Sequence, residues 1–220
     1  MAISRLLHIV WIGDESRRPE QCIGSWRRLN SDFEVRVWGN ADLLSRTWIN
    51  GRHIRALAAA GRFAGVADLM RYEILFSEGG MAVDADAECV RPLPDWLLDP
   101  SEFASWENEH LRPGLITNAF MGAVPDSPYI GQLIATVHDK VTVTDAHPWK
   151  TTGPAVVTDV WKRYQYPLTI YPSHYFTPVH FSGQPYAGTG QVFARQFWSS
   201  TRADVESRGL AVADGVGVAS

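Results

Sequence analysis

Between Arg62 and Asp86 the chain carries a helix with almost no polar face, two consecutive glycines, a short apolar run and two aspartates one residue apart. In residues 62–78, Phe63, Val66, Ala67, Met70 and Ile74 recur at helical spacing, and Leu69, Tyr72, Leu75 and Phe76 widen the apolar face. A helix this apolar has to be covered on more than one side, so it belongs inside a layered structure. Gly79-Gly80 supplies the left-handed or strained backbone that stops it and turns the chain into a short strand at residues 81–83. The acids Asp84 and Asp86 follow at once.

The rest of the chain fits this α/β reading. Residues 6–12 are an apolar run ending in Gly-Asp, the pattern of a buried parallel strand, and residues 34–38 alternate as a half-exposed one. Helical composition marks residues 53–60, and further strands are expected at 102–106 and 116–122. Helices are expected at 129–139 and 155–164, the second entered through Gly153-Pro154, and strands at 168–171 and 192–198. Strands alternating with helices imply a layered sheet. The 220 residues suffice for one α/β domain, expected over 1–210, with a frayed tail of small residues over 211–220.

Composition narrows the function. A formal charge of −4 speaks against a nucleic-acid partner, which needs a clustered basic footprint. Cys22 and Cys89 are the only cysteines, so neither a disulfide framework nor a cysteine zinc site is expected. No apolar stretch is long enough to span a bilayer and the first residues lack a signal-peptide pattern, so a cytoplasmic chain without a transmembrane segment is expected. Nine tryptophans offer flat surfaces for bases or sugars, although packing absorbs most such excess.

Carboxylates at alternate positions of a strand point to one side. Held that close, Asp84 and Asp86 repel, and a hard divalent cation such as Mg²⁺ or Mn²⁺ would offset the repulsion while carrying a diphosphate. Taken alone, the bare pair reads more readily as an exposed turn with incidental acids. Asp68 and Arg71 share a helix face, as a buried ion pair or as donors and acceptors for sugar hydroxyls.

Several ordered motifs carry a family resemblance. Val66-Ala67-Asp68-Leu69-Met70-Arg71-Tyr72, then Gly79-Gly80, then Asp84-Ala85-Asp86 resembles the DXD-containing glycosyltransferases related to yeast initiation-specific mannosyltransferases, bacterial capsular polysaccharide transferases and clostridial glucosylating toxins. His8-Ile9-Val10-Trp11-Ile12-Gly13, Ser25-Trp26, the strand at 34–38, residues 116–123 and Thr152-Gly153-Pro154 extend the match from about residue 6 to 200.

The resemblance implies a GT-A fold, a single Rossmann-like domain with a mixed sheet flanked by helices. It also implies a retaining transfer of a hexose from a UDP- or GDP-sugar, with Mn²⁺ or Mg²⁺, to a carbohydrate, lipid-linked sugar or protein acceptor. By position, Trp11 and His8 border the nucleobase; for His8 an ordinary core place fits too. Asp68 and Arg71 hold the donor sugar, Asn118 lies beside it, Asp84 contacts ribose or sugar and the metal, and Asp86 binds the metal directly. Trp198 keeps its place near the diphosphate, but Arg195 and Gln196 stand where relatives place a metal-binding histidine. Arg195 could pair with the diphosphate instead, and His180 is a further candidate ligand. Two alternatives remain: a nucleotide-sugar-binding module without turnover, and an aspartate-dependent phosphatase-like hydrolase.

Overall fold

In the computed structural model, which describes residues 2–199, the sheet pivots on strand β1 (Leu6–Val10). From β1 the chain passes through helix α1 (Glu20–Leu29) to β2 (Glu34–Trp38), the parallel neighbour on one side. It then runs through α2 (Asn40–Ser45), α3 (Gly51–Ala59) and α4 (Phe63–Glu78) and returns as β3 (Gly80–Asp84), parallel to β1 on its other side. The two crossovers cover opposite faces. Ile23 and Trp26 of α1 pack with Leu7, Ile9, Met81 and Val83. Leu69 and Met70 of α4 pack with Val10, Ala82 and Met121. Burying a side chain such as Leu69 stabilises by about 1.5–3 kcal/mol, so α4 is a main support of the core.

The double glycine is required by two close approaches. Gly79 (φ 67°) and Gly80 (φ 93°) are left-handed. A Cβ at Gly79 would lie 2.6 Å from Pro125, and one at Gly80 2.6 Å from the Leu6 carbonyl oxygen. Only hydrogen fits at either position.

Beyond β3 the chain forms β4 (Ala87–Cys89), β5 (Glu102–Trp106), β6 (Ile116–Ala123), α5 (Pro128–His138), α6 (Pro148–Thr151), α7 (Pro154–Tyr164), β7 (Thr169–Tyr171) and β8 (Ala194–Gln196). The main sheet has the order β2-β1-β3-β6-β5-β7, with β6 antiparallel to both neighbours. Hence β1, β3 and β5 end, and β6 begins, along one edge. In open α/β sheets ligands bind at the carboxyl edge where crossovers diverge, here beyond β1 and β3.

The mixed sheet with helices on both faces is the expected fold class. The strand expected over 192–198 is only β8, and it pairs with β4 outside the main sheet. The short elements α2, β4 and α6 carry too little periodicity to be read locally. The expected tail over 211–220 lies outside the described residues. No helix among the described residues is long and apolar enough to cross a membrane.

Candidate functional site

Asp68, Arg71 and Tyr72 stand on one face of α4, opposite the start of β6, and their neighbours pull them into a single network. The Asn118 amide donates to Asp68 Oδ1 at 2.6 Å and to the Tyr72 hydroxyl at 3.2 Å. The Thr152 hydroxyl, just after α6, donates to Asp68 Oδ2 at 2.8 Å, and the Tyr72 hydroxyl donates to the Thr152 carbonyl at 2.7 Å. Arg71, 3% exposed, donates through Nη1 to the Asn118 carbonyl and through Nη2 to Asp84 Oδ1. Its Nε is buried without a partner among the described residues.

Asp84 closes β3 and Asp86 lies in the two-residue turn before β4. The turn, not strand alternation, brings the acids together, and both meet the side chain of Gln196. Its Nε2 donates to Asp84 Oδ2 at 3.1 Å and to Asp86 Oδ1 at 2.8 Å. After β8 the chain turns left-handed at Trp198 (φ 59°), an unusual conformation for a bulky residue, and the Ser199 N–H reaches Asp86 Oδ2 at 2.7 Å. Asp84 thus joins two clusters: sugar-type donors and acceptors around Asp68, and an acidic pair around Gln196.

Burial sets the protonation behaviour of both. Burial pushes the Asp68 carboxyl up to about 6, against the opposing pull of Arg71 and the hydrogen bonds from Thr152 and Asn118. Burial, then the charge of Asp84, pushes the Asp86 carboxyl upward, against the Ser199 N–H. A bound cation would reverse that push, because it favours the ionised form of both acids. The donor set fits a hard divalent ion: two carboxylates with a buried, unpartnered Gln196 Oε1 beside them. Among the described residues no three His, Cys, Asp or Glu side chains form a metal-binding group, so the aspartates have no third acid or histidine.

The remaining expected residues divide. Trp11 lies half-buried just past β1 at the same edge, its indole N–H donating to the Asp14 carbonyl at 3.0 Å. Trp198 directly precedes Ser199, whose N–H reaches Asp86, and its indole N–H donates to the Val179 carbonyl at 2.9 Å. His8 is not at the site: it is fully buried, Trp38 Nε1 donates to its Nδ1 at 3.2 Å, and its Nε2 lies 2.9 Å from the Gly79 carbonyl. It braces the glycine turn, and both ring nitrogens are used. Arg195 is exposed and opposite Glu88 on β4, because alternate residues of β8 face opposite ways and Gln196 takes the inward place. His180 is buried, with Nδ1 2.8 Å from Ser182 Oγ, Nε2 3.7 Å from Glu107 Oε1 and its ring 6.0 Å from that of Trp198. Sequence reasoning gave Tyr72 no role of its own and left Gln196 without one; Gln196 lies more than 100 residues from its partners, and no local signal marks the pairing.

These features define a class: a GT-A type sheet whose carboxyl edge carries a DXD pair beside a polar helix face. Residues 16–104 match the family described as a glycosyltransferase sugar-binding region containing a DXD motif, which bears out the resemblance seen in the sequence. Over 183 residues the chain is 27% identical to inositol phosphoceramide mannosyltransferase 2 of Schizosaccharomyces pombe, covering 79% of this chain and 50% of that protein. The chain thus spans about half the length of the curated relatives it matches. Among solved structures, the UDP-bound glycosyltransferase domain from the YGT toxin is 8% identical with a TM-score of 0.61, covering 97% of this chain and 87% of that one. The PaToxG glycosyltransferase is 14% identical with a TM-score of 0.61, covering 74% and 69%. At these identities the structural likeness speaks for the fold.

Proposed function

We propose that this chain is a retaining glycosyltransferase that moves a hexose from a UDP- or GDP-sugar to a hydroxyl of a glycan, lipid-linked sugar or protein, with Mn²⁺ or Mg²⁺ held by Asp84 and Asp86. The observation that carries this reading is the double attachment of Arg71 to Asp84 and to the Asn118 carbonyl, which joins the sugar-type cluster to the acidic pair. Asp68 and Arg71 take the donor sugar's hydroxyls, Asn118 lies beside them, and Trp11 offers its indole face to the base. Asp84 contacts the ribose or sugar, Asp86 is the direct metal ligand, and Trp198 borders the diphosphate. The ion, when bound, neutralises the departing diphosphate. The chain's own part is to orient the donor and to hold the two acids beside each other, and the ion favours their ionised form. The mannosyltransferase name of the yeast relative and the UDP of the toxin domain set the first donors to try.

A second reading, a binding module of the same fold without turnover, is favoured by the neutral Gln196 amide across both aspartates. The hydrolase reading loses ground because Asp84, its nucleophile, is occupied through Oδ1 by Arg71 and through Oδ2 by Gln196. Incubation with UDP- and GDP-sugars and Mn²⁺, without acceptor, separates the first two readings. Release of free nucleotide from one donor, abolished by Asp86→Ala, is the expected result. Nucleotide binding without any release would leave the binding module.

A further inference from the structure

The short helix α6 is held against Asp68 and fixed at both ends. Thr152, just past its end, donates to Asp68 Oδ2 at 2.8 Å, Lys140 Nζ donates to the Thr151 carbonyl at 2.7 Å, and Arg62 donates to the Ala146 carbonyl near its start. Gly153 makes the approach tight: a Cβ there would lie 3.2 Å from Asp68 Oδ2 and 3.1 Å from the Trp149 Cα. Trp149, half-buried on α6, thus stands next to the sugar-type cluster, and two cations gather on its indole. The Arg112 guanidinium is 5.1 Å and the Lys150 Nζ 5.3 Å from its ring centroid. The ring attracts each cation but cancels neither charge. Arg112 donates through Nη1 to the buried Glu107 at 2.9 Å, and the rest of its fork has no hydrogen-bond partner among the described residues. Lys150 is exposed and pairs with no carboxylate among the described residues. Glu107 offsets one of the two charges, which leaves a positive excess beside Asp68 in a chain whose net charge is −4.

We propose that Trp149, Arg112 and Lys150 form the acceptor subsite, and that it takes an acceptor carrying an anionic group, a phosphate or a carboxylate, beside its sugar hydroxyl. This rests on the reading of the Asp68 cluster as the donor-sugar site, because an acceptor has to lie next to the donor sugar. Like charges drawn to one ring repel, and an anion between them removes the repulsion. The free part of the Arg112 fork matches two oxygens of a phosphate or carboxylate, and the Lys150 ammonium adds a point charge. The indole gives the attached sugar a flat apolar surface. None of the three side chains is among the donor contacts, so the rim selects the acceptor by charge while Asp68 and Arg71 select the donor.

The test is calorimetric titration of the chain with glucose, glucose 6-phosphate and glucuronic acid, each with and without UDP and MnCl₂. At least one anionic probe is expected to bind about tenfold or more tightly than glucose, the scale of a hydrogen bond to a charged group, and to keep that margin when UDP fills the diphosphate place. The stronger of the two anions identifies the group as phosphate or carboxylate. Lys150→Glu, at an exposed position, should remove the margin, and Lys150→Arg should keep it. Arg27→Glu, the same change of charge on α1 across the sheet, should also keep it. Equal binding of glucose and both anions, displacement of the anion by UDP, or equal weakening by Arg27→Glu and Lys150→Glu would overturn the proposal. An anion bound through Lys150 in a chain that releases nucleotide from no UDP- or GDP-sugar would instead leave an anion site and overturn the transferase reading beneath it.

Discussion

Two carboxylates of helix α4, Asp68 and Glu73, are held in opposite ways. Glu73 accepts the backbone N–H groups of Ile49 at 2.6 Å and Asn50 at 2.8 Å, at the entrance to α3. Unpaired N–H groups gather at a helix start, and an acid there satisfies them and complements the helix dipole. Asp68 accepts only from side chains, those of Asn118 and Thr152, which come from β6 and the end of α6. Two such bonds position a carboxylate that has about four lone-pair sites and leave it acceptor capacity for a ligand. Burial raises both carboxyl groups, Asp68 to about 6. Burial alone therefore does not separate them. The source of the hydrogen bonds does: backbone donors make Glu73 a clamp between α3 and α4, and side-chain donors at the carboxyl edge make Asp68 a positioned acceptor.

The sharpest way to break this comparison is to remove each acid and ask which property collapses. Asp68→Ala should lower donor turnover by about 10²-fold or more, the scale of losing an interaction made to the reacting substrate, with little change in thermal stability. A pure loss of stability, with turnover per folded molecule unchanged, would return Asp68 to the role of Glu73. Next in size, Glu73→Ala should cost about 2–3 kcal/mol in denaturant unfolding, because the buried Asn50 N–H loses its acceptor. Donor selectivity in that variant should match the native chain, and a change in selectivity would erase the distinction.

The smallest effect is a pH dependence that sharpens it. The ordinary value of the Asp68 carboxyl is 3.8 and its folded value is about 6, so between them the folded chain keeps a proton that the unfolded chain has released. Stability from this group is full below 3.8, falls as pH rises toward 6, and is level above that. Unfolding of the native chain compared with Asp68→Asn across this window should show the native chain losing ground as pH rises, and a constant difference would contradict it. Donor selectivity should decline in the opposite direction, as pH drops below about 6 and Asp68, the proposed acceptor for sugar hydroxyls, is protonated.

The layered fold and the order of its main elements were legible because their signals are local. An apolar helix, two glycines and a strand follow one another within a couple of dozen residues, and hydrophobic spacing and backbone freedom express themselves at that range. Asp68, Arg71, Asp84 and Asp86 stood out for the same reason. The sequence could not distinguish His8 at the site from His8 beneath it, since a histidine on an apolar strand reads alike in both places; the nearby Trp38 indole and Gly79 carbonyl decided it.

What sequence alone determined about this protein is thus the scaffold and the acidic half of its candidate site. What tertiary structure decided is the other half. The side chain that meets Asp84 and Asp86 is separated from them in sequence by 112 and 110 residues, and it depends on how β8 pairs with β4. A slip of one residue in that pairing would turn Arg195 inward in place of Gln196, presenting a fixed cation where the chain presents a neutral amide. Only packing fixes a strand register, because no residue within β8 records which neighbour faces the acids.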